Sequence, residues 1–510
     1  MKKIFLAIIS SAALISCQLD DNISPNTPTV EKLSPRNLLA AAETTAYTAQ
    51  TTGMFQLSNI WMNCWAGNIY QFASPMTREY QMDVASNFYG GIWNENYLAA
   101  ANSAAIIRNE NAASFPFHTA IAKILLANSM QYIVDFYGDA PYSQAFMQQE
   151  NISPKYDKGE DIYKDLVVKL NEAINTIDNA IPTANNGVNA SEDVIFAGDM
   201  NQWKKFANTI KLRILLRQSK VTDPSIVQFR NAQLAQLQGQ ALVDADVVIN
   251  PGYNSSAAAQ QNPLYRQYGY IVYDGSALNT NGYGYYGTIS DHLAKLLIGH
   301  SSKPTAGIVD PRATKEWRVA GGTINGLVQG APRDPNMNAS NYSNLGWKYY
   351  GNPVNSSMDG YMMMKSESEF LQAEAAVLYP QYFSNAQGHY TQGVTASFTF
   401  FGLTGAQATT YLNALNSKTV GWAGAGDKIA AIQYQRLIAL THVRPVETYI
   451  NYIKTGYPET PLALTAVHPN KPYRLIYPTT EYTGNSANVP NITQADVFVK
   501  NQYTPFWNRN

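Results

Sequence analysis

Charged side chains are scarce in this chain. Only 14% of its 510 residues are Asp, Glu, Lys or Arg, well below the usual share of about a quarter. The 36 basic and 37 acidic residues leave a net charge of -1, which removes the electrostatic attraction that nucleic-acid binding requires. We therefore expect no nucleic-acid partner, and a surface of uncharged polar groups suited to uncharged polar ligands.

Cysteines and long apolar runs are also few. A membrane-spanning helix needs about 20 apolar residues, and the apolar run at residues 4–15 is too short. No later run approaches that length, so the sequence predicts no transmembrane segment. Cys64 has no partner motif, and we expect it to be a small buried side chain rather than a nucleophile.

The common catalytic and metal-binding motifs are missing. There is no His-Glu-x-x-His, no Gly-x-Ser-x-Gly and no Gly-x-x-x-x-Gly-Lys, and the six histidines show no metal-ligand spacing. A glycosidase needs only two suitably separated carboxylates, a pair that sequence alone does not exclude. Asp135 and Asp139 are the nearest local candidates, but two carboxylates at a helix end are more simply caps. We predict no catalytic residue, metal or cofactor, and no enzyme activity.

Residues 282–287 read Gly-Tyr-Gly-Tyr-Tyr-Gly, a literal Gly-x-Gly-x-x-Gly. A dinucleotide fingerprint requires a tight strand-to-helix turn, which bulky tyrosines in an Asn-rich loop do not favour. Two interpretations remain open. The tyrosines could form a mobile aromatic loop that offers flat faces to a sugar, or they could simply pack within a loop.

The N-terminal residues have the features of an export signal. Lys2 and Lys3 precede the apolar run, and Leu-Ile-Ser-Cys at residues 14–17 is similar to a bacterial lipobox, in which Cys17 is acylated. Residues 1–17 are therefore predicted to be a lipoprotein signal peptide. Residues 18–34 follow as a tether, and their acidic start resembles a surface-export tag.

Apolar residues at helical spacing predict several helices in the remaining chain. One ends within residues 135–142 (Asp-Phe-Tyr-Gly-Asp-Ala-Pro-Tyr), where Gly138 suits a left-handed C-cap and Asp135 and Asp139 could accept from free backbone N–H groups. Further helices are predicted over residues 160–177, 200–217, 289–298, 370–378 and 429–442. The predicted N-caps are Asp157, Asp199, Ser366 and Asp427.

The helix after Asp199 carries five basic residues. Lys204, Lys205, Lys211, Arg213 and Arg217 lie mostly away from its apolar stripe, and we interpret them as a solvated face with local ion pairs. Between residues 251 and 353, by contrast, Gly, Asn, Tyr, Ser and Pro dominate. This composition predicts a loop-rich insertion with short hairpins, a kind of region that carries function on helical scaffolds.

Several separated motifs are similar to those of the SusD/RagB family of Bacteroidetes outer-membrane lipoproteins, closest to its starch-binding-like subgroup. They are residues 135–142, 198–217, 373–375 and 474–478, together with the lipobox. The resemblance implies a mostly α fold of tetratricopeptide-like helix pairs with an irregular loop-rich side. It also implies that residues 35–510 form a single domain.

The resemblance further implies a binding function at the cell surface. A protein of this family would be lipid-anchored in the outer membrane, would capture an oligosaccharide, and would act as a lid over a SusC-like TonB-dependent transporter. A peptide-capturing member of the family is the alternative, and a surface glycoside hydrolase is a more distant one.

We expect aromatic and amide side chains to bind the ligand, because sugars stack on rings and exchange hydrogen bonds with amides. The low charge content favours a glycan over a peptide. Trp93 is equally compatible with a core position. The predicted binding residues are Trp61, Trp65, Tyr80, Trp93, Asn96, Tyr283, Tyr285, Tyr286 and Trp347.

Overall fold

Helices make up most of the regular structure in the computed structural model, which describes residues 33–147, 150–280, 282–345 and 354–509. The predicted signal peptide, the lipidation site Cys17 and the tether up to residue 32 lie outside the described residues. In the first half of the chain the helices are α1 (Pro35–Thr51), α2 (Gly53–Trp61), α3 (Thr77–Gln81), α4 (Gly91–Ile107), α5 (Pro116–Tyr137), α6 (Gly159–Asn179), α7 (Met200–Arg217) and α8 (Pro224–Leu237).

The second half begins with short helices, continues with longer ones and ends with another short one. They are α9 (Pro263–Tyr268), α10 (Tyr283–Tyr286), α11 (Asp291–Leu297), α12 (Ala313–Glu316), α13 (Lys365–Leu378), α14 (Ala386–Phe400), α15 (Gly405–Leu415), α16 (Lys428–Leu440), α17 (Pro445–Thr455) and α18 (Thr479–Gly484). Within the predicted loop-rich insertion, the helices reach at most seven residues.

Consecutive helices pack side by side in two groups. In the first, α1 packs on α4, α4 on α5, α5 on α6, and α6 on α7. In the second, α13 packs on α14 and α16, α14 on α15, and α16 on α17. Contacts between α7 and α13 join the two groups. The predicted mostly α fold with paired helices and a loop-rich side is confirmed.

Short antiparallel strand pairs connect distant segments. β1 (Trp65–Gly67) pairs with β5 (Gly287–Ile289), with Trp65 opposite Ile289. The other pairs are β2 (Ala140–Pro141) with β3 (Tyr156–Asp157), and β4 (Val247–Ile249) with β6 (Gly360–Met363). Inside the loop-rich region two single bridges close tight turns, Ile271 with Leu278 and Ala320 with Thr323.

Two of the four predicted N-caps are confirmed. The carboxylates of Asp199 and Asp427 accept from the first backbone N–H groups of α7 and α16. The predictions for Asp157 and Ser366 are wrong. Asp157 lies in β3, where it accepts instead from the N–H groups of Tyr142 and Ser143 at 3.0 and 2.7 Å, and Ser366 lies inside α13.

The corner after α5 is closed by Gly138, as expected for a residue without a Cβ. Its φ of +76° lies in the left-handed region, although ψ of -120° differs from a simple αL cap. A Cβ there would also stand 3.2 Å from the Tyr503 carbonyl oxygen. Asp139 accepts from the Gly159 N–H at 3.0 Å, as predicted, whereas Asp135 turns into the core.

The basic face predicted on α7 is only partly solvated. Lys204 and Lys205 do form surface ion pairs, with Asp178 and Asp244. The prediction is wrong for Lys211, Arg213 and Arg217, which are buried. The reason is that α7 lies between α5, α6, α13 and α8, so the side opposite its apolar stripe is also covered by protein.

Arg213 and Arg217 belong to a buried ion network. The Arg217 guanidinium lies 3.3 Å from an Asp135 oxygen and 3.0 Å from a Glu447 oxygen. Arg213 and Arg444 hold the two oxygens of Glu367 at 3.3 and 2.8 Å. These side chains are at most 1% exposed, so each charge depends on its partners rather than on water.

A second part of the same network surrounds Glu374 on α13. Its carboxylate contacts Arg436 at 3.2 Å and also binds Lys454. Burial alone would raise the pKa of Glu374, but Lys454 and Arg436 hold this pKa below its ordinary value. Through these pairs the network joins α5, α7, α13, α16 and α17, the helices at the centre of both packing groups.

Removing one arginine from the network should destabilise the fold strongly. We predict that Arg217→Met lowers the free energy of unfolding by about 3–5 kcal/mol, because Asp135 and Glu447 would keep buried charges without their partner. On the same helix, Lys204→Met removes an exposed pair and should cost at most about 1 kcal/mol. Urea unfolding followed by circular dichroism measures both, and equal midpoints for the two variants would contradict the prediction.

Candidate functional site

An aromatic surface forms where the β1–β5 pair ends. Gly67 and Gly287 face each other at the end of the pair, and the Asn68 N–H donates to the Tyr286 carbonyl at 2.7 Å. The loop after β1 and the single-turn helix α10 therefore leave the strand pair side by side. This juxtaposition brings aromatic residues from two distant segments onto one surface.

Two stacked ring pairs define this surface. Phe72 stacks on Tyr286 with ring centroids 5.2 Å apart and planes 24° apart, and Phe72 is 53% exposed. Tyr70 stacks on Tyr342 at 5.7 Å and 17°. We call Tyr70, Phe72, Tyr286 and Tyr342 the aromatic platform. Flat, partly exposed rings of this kind can receive the apolar face of a ligand.

Polar contacts fix the loop at residues 330–342 against the platform. The Tyr70 hydroxyl donates to the Asp334 carbonyl at 3.2 Å and accepts from the Asp334 N–H at 2.8 Å. Arg333 donates to the Ile69 carbonyl at 2.9 Å, and its guanidinium lies 5.3 Å from the Tyr70 ring centroid. The Asn68 amide donates to the Ala339 carbonyl. The rings are thus held by backbone contacts on both sides.

A cleft of about 390 Å³ lies beside the platform, within the size range of small-ligand sites. It opens between the loop that contains Ile69 and Pro75, the segment of residues 330–333, and Thr465. Arg333 is its one charged lining residue among the described residues, and Tyr80 forms part of its wall. The cleft therefore adds polar backbone groups and one cation next to the rings.

Two tyrosines of the platform, Tyr286 and Tyr342, have a raised pKa. Burial and the nearby Glu79 carboxylate raise the pKa of Tyr286 to about 12. Burial and the neighbouring Tyr70 raise the pKa of Tyr342 to about 12. Each phenol therefore keeps its proton and can both donate and accept a hydrogen bond.

Four of the predicted binding residues reach this region. Tyr286 belongs to the platform, and Tyr80 lines the cleft while its hydroxyl accepts from the Gly67 N–H at 2.8 Å. Tyr285 is partly exposed and stacks on Tyr270 at 5.9 Å. Tyr283 is partly exposed, and its hydroxyl contacts the Gln56 amide.

The other predicted residues lie elsewhere. Trp61 packs between Phe88 and Tyr449, and Trp65 has no exposed surface. Asn96 is buried and donates to the carbonyl one turn earlier in α4 at 2.8 Å. Trp93 lines a separate cleft beside α4. Trp347 lies outside the described residues.

Sequence reasoning missed Tyr70, Phe72, Tyr342 and Arg333. For Tyr70 and Phe72 a local signal was present, because aromatic residues in the loop after β1 follow no helical or strand periodicity and so have no assigned core position. Their proximity to α10 could not be predicted from the sequence, because it depends on the pairing of β1 with β5, which are far apart in the chain.

The Gly-x-Gly-x-x-Gly stretch does not form a dinucleotide turn. Its residues build α10, which is followed by strand β5 rather than preceded by one. A Cβ on Gly284 would lie 2.0 Å from the Tyr268 carbonyl oxygen, so this glycine permits close packing of α10 on α9. The three tyrosines are partly buried and partly exposed. This arrangement is intermediate between a mobile aromatic loop and a packed loop, the two interpretations that the sequence left open.

The described part of the chain has no group of side chains suited to metal binding. There, no three His, Cys, Asp or Glu side chains come together to hold a metal ion. None of the helices in the same ranges has the length and apolarity to cross a membrane. Cys64 is buried, as predicted, and burial raises the pKa of its thiol to about 12, which leaves it unreactive.

Comparison with known proteins identifies the family. The sequence profile of a SusD-like family described as "Starch-binding associating with outer membrane" matches residues 25–478. The chain belongs to the SusD-like family. That membership associates it with the outer membrane, and the predicted SusD/RagB resemblance is confirmed. No curated protein sequence matches it.

Solved structures of SusD homologues share the fold of this chain. A chitin-binding SusD homologue from Flavobacterium johnsoniae has a TM-score of 0.70 at 19% identity, covering 92% of this chain and 98% of its own. Homologues from Bacteroides fragilis and Bacteroides uniformis both have TM-scores of 0.67, at 17% and 22% identity. They cover 94% and 93% of this chain, and 99% of their own chains.

The difference between packed and exposed aromatic residues can be measured as stability. We predict that Trp65→Ala lowers the free energy of unfolding by about 3–5 kcal/mol, because it empties a fully enclosed volume. Phe72→Ala should change it by at most about 1 kcal/mol, since more than half of that side chain is already exposed. Urea unfolding of both variants tests this, and a large loss for Phe72→Ala would show that the platform is structural.

Proposed function

We propose that this protein binds an oligosaccharide on the aromatic platform and in the adjoining cleft, and that it breaks no bond in doing so. The observation that carries the proposal is the stack of Phe72 on Tyr286 beside a cleft of about 390 Å³. Phe72 keeps 53% of its surface exposed, so ring surface remains that the apolar face of a ligand can cover.

The chemistry of the site suits a neutral sugar chain. The C–H face of a pyranose can lie on the rings of Phe72 and Tyr286, while its hydroxyls bond to phenols and to polar groups of the cleft. Two further facts support a glycan. The matched family is described as starch-binding, and the similar structure from Flavobacterium johnsoniae is a chitin-binding protein.

Binding without hydrolysis agrees with the positions of the carboxylates. Two acidic groups must flank the bond that a glycosidase cleaves, yet no Asp or Glu among the described residues lines the cleft. Asp135 is committed to Arg217 in the core. Asp139 is held by Lys158 and the Gly159 N–H. Asp135 and Asp139, the carboxylate pair that the sequence offered for catalysis, therefore both have structural roles.

The proposed setting is the outer face of the outer membrane. Acylation of Cys17 would anchor the chain there. The acidic start of the tether, which resembles a surface-export tag, supports a position facing the medium. A SusC-like TonB-dependent transporter is the proposed partner, with this protein acting as the lid that delivers the sugar. Family membership and its association with the outer membrane support this part of the proposal.

Calorimetric titration of residues 23–510 with maltohexaose, chitohexaose and a set of hexapeptides tests the function. We expect saturable heat with a hexasaccharide and no new products by mass spectrometry. The double variant Phe72→Ala/Tyr286→Ala should weaken this binding about 5- to 150-fold, since each of the two lost stacking contacts is worth about 0.5–1.5 kcal/mol. Tyr382→Ala, a partly exposed tyrosine after α13, is the control and should bind normally.

Each other outcome has a defined meaning. Saturable heat with peptides only would replace the glycan with a peptide ligand. Shortened oligosaccharides after incubation would make the protein a glycoside hydrolase. Full affinity in the double variant would move the binding site away from the platform.

A further inference from the structure

A second cleft, of about 360 Å³, lies between α4, the loop after β2 and the start of α18. It has no lining residue in common with the cleft beside the platform. The residues that define its chemistry are Trp93, Asn94, Tyr97, Phe146 and Glu481. Oligosaccharide binding on the platform does not require this cleft.

Aromatic rings form its walls and are held in place. Trp93 and Tyr97 have ring centroids 4.6 Å apart, and Tyr97 lies 6.0 Å from Phe146. The Tyr97 hydroxyl donates to the Pro141 carbonyl at 2.6 Å, which fixes that ring. Phe146 adopts φ of +62°, in the left-handed region that a phenylalanine rarely occupies.

Glu481 supplies a carboxylate to this aromatic cleft. One of its oxygens accepts from the Tyr156 hydroxyl at 2.6 Å. Among the residues that the structure describes, no Lys, Arg or His nitrogen approaches this carboxylate within 4.0 Å. Glu481 also affects the aromatic wall of the cleft. Burial, and after it the Glu481 carboxylate, raise the pKa of Tyr97. The cleft therefore combines aromatic walls with an anion that lacks a cationic partner.

We propose that this cleft binds an organic cation, an ammonium or guanidinium group, with Glu481 as its counter-ion. Cations are attracted to aromatic rings and form their strongest hydrogen bonds with carboxylates. The volume is at the lower end of small-ligand sites, enough for one basic side chain or one amino-sugar ring. Asn94, which is exposed at the mouth, offers a further amide to the ligand.

The test uses the full mature chain in detergent and two cationic probes, Nα-acetyl-lysine methylamide and glucosamine. Their uncharged counterparts are the Nε-acetylated lysine derivative and N-acetylglucosamine. Titration followed by ligand-observed NMR is carried out on the native chain and on Glu481→Gln, which keeps an oxygen for the Tyr156 hydroxyl. Glu110→Gln, an exposed carboxylate outside the cleft, is the matched control.

We expect saturable binding of at least one cationic probe, with its uncharged counterpart about ten-fold weaker. Glu481→Gln should weaken binding of the cationic probe by about ten-fold, whereas Glu110→Gln should leave this binding unchanged. Binding of the lysine derivative alone identifies a basic side chain of a protein as the source of the cation. Binding of glucosamine alone identifies an amino sugar, and binding of both leaves the shared ammonium group as the ligand.

Two results would overturn the proposal: no saturable binding of either cationic probe, or equal binding by the native chain and Glu481→Gln. If Glu481→Gln fails to fold, Phe146→Ala takes its place. Removing this wall should weaken binding of the cationic probe without changing hexasaccharide binding at the platform. Unchanged affinity for the cationic probe in this variant would also contradict the proposed site. Hexasaccharide binding is measured in parallel, so that failure here is distinguishable from failure of the proposed glycan function.

Discussion

The buried ion network is the constraint on which the helical scaffold depends. Arg217 faces Asp135 and Glu447 in the buried core, and Arg444 shares Glu367 with Arg213. A helix that shifted would leave a charge unpaired in the core, which is far more costly than losing an apolar contact. The network therefore selects one arrangement of α5, α7, α13, α16 and α17 among the many that apolar packing alone would tolerate.

This scaffold can hold a loop-rich side in a fixed shape. The Ser290 N–H donates to the Cys64 carbonyl at 2.9 Å, and the Gln329 amide donates to the carbonyls of Ile60 and Trp65 at 2.8 and 2.7 Å. These bonds tie the irregular region to α2 and β1. Rings of the aromatic platform are thus positioned before a ligand arrives, which lowers the entropy lost on binding.

Some local features were predictable from the sequence, whereas contacts between distant segments were not. The caps Asp199 and Asp427 depend on neighbouring backbone groups and were found. The burial of Arg213 depends on helices far away in the chain, so its charge suggested a solvated position that the structure contradicts. Likewise, aromatic composition predicted Tyr286 as a binding residue, but nothing local showed that Phe72 would stack on it. The fold was predicted from the family motifs, which are distributed along most of the chain.

We propose that the helical scaffold presents the aromatic platform for sugar binding without catalysis. A crystal structure of the protein grown with maltohexaose or chitohexaose would test this proposal. We expect an intact hexasaccharide with a pyranose ring lying on Phe72 and Tyr286 and a further sugar entering the cleft at Arg333. A sugar bound only elsewhere, a cleaved chain, or an empty platform at saturating concentrations of both sugars would contradict it.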